Sequence, residues 1–135
     1  MNKQDPSSPE HEAYEKPDQS NAASGEHAVK PVYLTQGEIN ALQKAIMFLK
    51  FECEETDSLL YAGSPLLNSV LEKVRDAHAF AEYTKDFHSR PNEYAERFMR
   101  AKLERSYAEE LAPRERTEEQ LAEILGACMY PFPVK

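Results

Sequence analysis

The chain has no tryptophan, four glycines, two cysteines and no long apolar run, and each shortage closes off a class of protein. No two glycines lie close together, so neither a phosphate-cradling loop nor a dinucleotide fingerprint is present. No Gly-x-Ser-x-Gly turn and no Cys–His arrangement marks a nucleophile. Cys53 and Cys128 each fall on the apolar face of an expected helix, and neither has a second Cys or a His at metal-ligand spacing. Both read as small core hydrophobes, with a disulfide or a reactive thiol as the alternatives. No metal site and no cofactor is expected. No stretch approaches the roughly 20 apolar residues that span a bilayer. The first 20 residues lack the apolar segment of a secretory signal, so the expected location is cytoplasmic, with no membrane partner.

What is present is charge and helical periodicity. The 135 residues carry 24 acidic and 16 basic side chains, a net −8, and 41% are hydrophobic. This composition fits one globular domain and disfavours direct binding to nucleic acid. Residues 1–29 hold Pro6, Pro9 and Pro17 and, after Met1, no Ile, Leu, Phe or Met. Such a segment buries too little apolar area to offset its ordering entropy, and it reads as a disordered polar and acidic arm. The folded domain is expected over 30–135, closed by an apolar tail at 129–135.

Four helices are predicted inside it. The first opens at Thr35, where Glu38 completes a capping box, and runs to about Tyr61, with Gly63 as a left-handed stop. Its core stripe is Ile39, Leu42, Ile46, Leu49, Cys53 and Leu60. The second starts at Ser64-Pro65 and runs to about His88. Leu67, Val70, Leu71, Val74, Ala77 and Ala81 form its main stripe, and Phe80, Tyr83 and Phe87 form another on the far side. The third spans about 91–111 with Ala95, Met99, Leu103, Tyr107 and Leu111 stepping by four. The fourth follows the Thr117/Gln120 capping box and places Leu121, Ile124, Leu125 and Cys128 on one face. Gly126 weakens its last turn. Two prolines then dictate an extended segment through Tyr130 and Phe132. The expected fold is all-α, a compact bundle of about four helices.

The functional reading starts from Met47 and Phe51. At about 100° per residue they project opposite the stripe of the first helix, among Asn40, Gln43, Lys44, Glu54 and Glu55. Either another part of the chain covers them or another molecule does. With Tyr130 and Phe132 they form the candidate partner-binding set of a non-catalytic protein–protein interaction module, an adaptor, inhibitor or regulatory subunit, whose partner is another protein or a second copy in a homodimer. The acidic run Glu52, Glu54, Glu55 and Asp57 supports another reading, a nucleic-acid mimic that occupies the site of a DNA- or RNA-binding protein; it also fits a plain solvated face. A third reading is a small-ligand binder or enzyme using His78 in an interhelical pocket. Residues 91–112 imitate a recognition helix, but four basic and five acidic residues give them a net −1. No catalytic residue is assigned.

Overall fold

Thr35 and Glu38 start the first helix in the predicted way. The Thr35 hydroxyl accepts the Glu38 N–H at 3.1 Å, and the Glu38 carboxylate accepts the Thr35 N–H at 2.8 Å. Two donors that the first turn would leave orphaned are thereby satisfied. The structure, a computed structural model, describes residues 27–135. Most of the expected arm lies outside the described residues. The chain divides into Met1–Tyr33 and Leu34–Lys135, and the second unit is the one described below.

Six α-helices follow Thr35: α1 (Gln36–Phe51), α2 (Leu59–Ala62), α3 (Pro65–Ala77), α4 (Ala81–His88), α5 (Glu93–Ala108) and α6 (Glu118–Met129). A 3-10 turn, Thr56–Ser58, precedes α2, and no strand occurs among the described residues. The predicted first and second helices are therefore each broken in two.

The first break follows Phe51. The Glu52 N–H makes the last regular bond to the Phe48 carbonyl at 2.9 Å, and the Cys53 N–H reaches back five residues to the same carbonyl at 3.0 Å, a wider closure that ends the helix. The freed carbonyls of its last turn are met by an ammonium from α5. Lys102 donates to the carbonyls of Leu49 (3.3 Å), Lys50 (3.2 Å) and Cys53 (2.7 Å), and to the Ser58 hydroxyl (2.8 Å). The stop is thus tertiary, aided by the weak helix formers Thr56, Asp57 and Ser58. The second break is at His78, whose backbone is extended (φ −68°, ψ 141°). Gln36 clamps it by donating to the Ala77 carbonyl (2.9 Å) and accepting the Ala79 N–H (2.8 Å). The aromatic stripe that sat on the wrong side of one long helix belongs to α4, a separate element.

Local signals further along hold with small changes. Ser64 caps α3 through the Leu67 N–H, and Asn92 caps α5 through the Ala95 N–H. Thr117 and Gln120 form the expected capping box of α6. Gly126 does not interrupt α6, which continues to Met129. Gly63 is not left-handed, since its φ is −98°. Its role is space: a Cβ there would lie 3.1 Å from the Cys128 Sγ.

Helix α1 is covered on two sides, by α3 and by α5, while α5 also packs on α6 and α2 on α6. Leu71 and Val74 supply the buried part of the α3 stripe. The main core combines Phe51, Ala62, Ala95, Met99, Leu103, Leu125, Cys128, Met129 and Phe132. Leu60, expected in the first core stripe, is 74% exposed because it falls beyond the break on α2.

Candidate interaction surface

The structure brings Phe51 and Phe132 together, but inside. Both are buried, and their rings meet edge to face with centroids 5.4 Å apart. Met47 lies half-buried against the same cluster. The face of α1 that looked as though it should be polar is its contact with α5 and the tail. The tail reaches this place by turning rather than by running extended: the Phe132 N–H donates to the Met129 carbonyl at 2.8 Å. Lys135 then fastens it to α5, its N–H donating to Glu96 at 3.0 Å and its ammonium pairing with Glu93. Tyr130 is half-buried, and its hydroxyl accepts from Arg75 at 2.8 Å.

Arg75 is itself buried, and its Nε donates to the Nδ1 of His88 at 3.1 Å. Burial, and secondarily the Arg75 charge, pulls the His88 imidazole down from its ordinary value to about 4. Its ring also stands nearly perpendicular to Phe132, 5.3 Å away. A base with a lowered native pKa favours the folded state only while neutral. That advantage is complete above pH 6.5 and is lost as the pH falls toward 4. The full shift corresponds to about 3 kcal/mol. Urea titrations between pH 7 and pH 4 should show this loss. His88→Asn keeps an acceptor at the Nδ1 position for Arg75 but cannot titrate, and should remove most of the loss.

Two lysines that sequence periodicity did not single out are the most deeply buried cations among the described residues. Lys50 and Lys102 are both fully inaccessible, and the hydrogen-bond partners of their ammoniums are all neutral oxygens. Lys50 donates to Ala62 (2.6 Å) and Cys128 (3.2 Å) carbonyls, with Ala127 at 3.4 Å. It therefore serves the C-terminal ends of α2 and α6, as Lys102 serves α1. Burial lowers the Lys50 pKa to about 8, and it lowers that of Lys102 as well. The Cys128 thiol is pushed up, chiefly by its own burial. A signal for these lysines was present, because Lys50 stands four after Ile46 and Lys102 three after Met99, at core spacing.

The remaining candidates separate. His78 is half-buried at the α3–α4 break, where its Nδ1 accepts the Phe80 N–H at 3.0 Å. That bond serves the turn. Glu52, Glu54, Glu55 and Asp57 are all exposed on the link after α1 rather than on a helix face. Among the described residues no group of three or more His, Cys, Asp or Glu side chains is placed to hold a metal ion.

A different surface emerges where α5 and α6 meet. Leu103 and Tyr107 from α5, Leu121, Ala122 and Leu125 from α6, and Val134 from the tail line a groove of about 480 Å³. Leu103 and Leu125 are its buried floor, while Leu121 (38%) and Val134 (39%) remain open to solvent. Arg100, Glu104 and Glu118 complete its lining. Arg100 is held by Glu96 at 2.8 Å. Neither Glu104 nor Glu118 forms an ion pair among the described residues. Against family models, curated proteins and solved structures the chain gives no match. The groove escaped the sequence reading because it exists only when α5 and α6 pair. The α6 pattern alone placed Leu121 wholly on a buried face. A second apolar surface, Phe80 at the cap of α4 with Tyr83 and Phe87 on it, is exposed, although Phe87 leans on Phe132 with ring centroids 6.3 Å apart.

Proposed function

We propose that the protein is a non-catalytic helical interaction module and that it engages its partner through the α5–α6 groove. One observation carries the reading: a built apolar groove whose leucine and valine stay open to water although the adjoining core is closed. Grooves between helices are ordinary sites for an apolar face of another molecule. The buried cations and aromatic rings described above serve the fold. Lys50 and Lys102 satisfy helix ends, His88 and Arg75 satisfy each other, and Phe51 and Phe132 fill the core.

The test is a photoreactive phenylalanine analogue placed at Leu121 in the full chain and expressed in the source cells. Illumination is expected to give a covalent adduct of one discrete mass. The same analogue at Leu66, which is 71% exposed on α3, should give none. Adducts absent at both positions, or present equally at both, would remove the groove as the contact site.

A further inference from the structure

We infer that the groove's occupant is an amphipathic helix with an apolar face flanked by lysine or arginine; this deepens the interaction-module reading and rests on it. Carboxylates without counter-ions flank an apolar floor. Among the described residues Glu104 and Glu118 stand at the groove without ion-pair partners, and the one cation lining it, Arg100, is paired with Glu96. The stretch that carries Glu104 and Glu118 is acidic as a whole, although Glu109, Glu110 and Glu123 line other clefts. From Glu104 to Glu123 there are seven carboxylates and three arginines, a net −4, which is half of the whole chain's −8 in 20 residues. Of those arginines, Arg116 is taken by Glu110, and Arg105 donates to the Glu54 carbonyl at 2.9 Å.

An apolar floor selects for buried leucine or phenylalanine anchors, and a helix presents them at i, i+3, i+4 and i+7. Acidic flanks speed the approach of a basic partner and reject an acidic one. Two copies meeting groove to groove would set Glu104 and Glu118 of one against Glu104 and Glu118 of the other, so self-association through this face is disfavoured.

The experiment is a fluorescence-anisotropy titration of the full chain with two synthetic helical peptides of about 18 residues, roughly 27 Å long. Both carry one leucine face; the polar positions are lysine in one and glutamate in the other. The lysine peptide is expected to bind at least about tenfold tighter in low salt, the gap narrowing as salt screens it. Leu121→Glu should lower its affinity about tenfold, a loss of about 1.4 kcal/mol. Leu66→Glu should not. Glu104→Lys combined with Glu118→Lys should reverse the preference; both positions are exposed, so the fold tolerates them. Equal binding of the two peptides overturns the inference. So does lysine-peptide binding that Leu121→Glu leaves intact, since that is attraction to the acidic surface at large. A discrete adduct at position 121 in cells, together with no preference for the lysine peptide, overturns the basic helix alone and leaves the interaction module standing. Failure of both removes both.

Discussion

Lys102→Met is expected to destabilise the folded unit by about 2–4 kcal/mol, although it exchanges a buried charge for an apolar side chain of similar length. Burying an ammonium is costly, and replacing buried ions with hydrophobes is often neutral. Lys102 differs because its partners are not counter-ions that would also be relieved. They are the buried Lys50 carbonyl and Ser58 hydroxyl and the part-buried carbonyls of Leu49 and Cys53, all of which lose their donor. Each buried acceptor left unsatisfied costs about 1–3 kcal/mol, and the removed desolvation penalty offsets part of the sum. Small domains hold about 5–15 kcal/mol in total, so the loss is a large fraction. Urea unfolding of the full chain measures it. The exposed Lys73 gives the control, and Lys73→Met should stay within about 0.5 kcal/mol. A Lys102→Met midpoint equal to wild type would mean that water satisfies those carbonyls and that Lys102 does not end α1.

Phe132→Ala is expected to cost about 3–5 kcal/mol, the range for truncating a buried aromatic ring. Its ring meets Phe51, Phe87 and His88, at centroid distances of 5.4, 6.3 and 5.3 Å. Edge-to-face pairs of this kind add to the buried area they represent. At about 4–8 °C per kcal/mol for a domain of this size, the melting temperature should fall by at least about 12 °C. Phe80→Ala, at a side chain 69% exposed, should change it little. A tail that only rests on the surface would give the two variants similar melting temperatures.

These two residues also mark how far the sequence could be read. Capping boxes at Thr35 and Thr117 are local, involve residues three apart, and were legible in full. The breaks at Glu52 and His78 were not, because their agents sit far along the chain. Lys102 ends a helix 51 residues before it, and Gln36 clamps the turn after Ala77. The oddity of Phe51 was visible as a position on the wrong face, but two outcomes fitted it. Choosing between them required knowing that α5 and a turned tail cover that side of α1. The α5–α6 groove was least legible of all. Its walls come from three segments, and helical periodicity separates an inner from an outer face without showing where two inner faces fail to close.

The most direct test of the whole account is hydroxyl-radical footprinting of the full native chain, read by mass spectrometry. Leu121, Val134, Phe80 and Tyr83 are exposed and should be modified readily, whereas Met99, Met129 and Phe132 should be protected until the protein is unfolded. Modification of Met129 and Phe132 at the rate of the unfolded chain would contradict it. The tail would then lie outside the core, and the groove it helps to line would not exist as described.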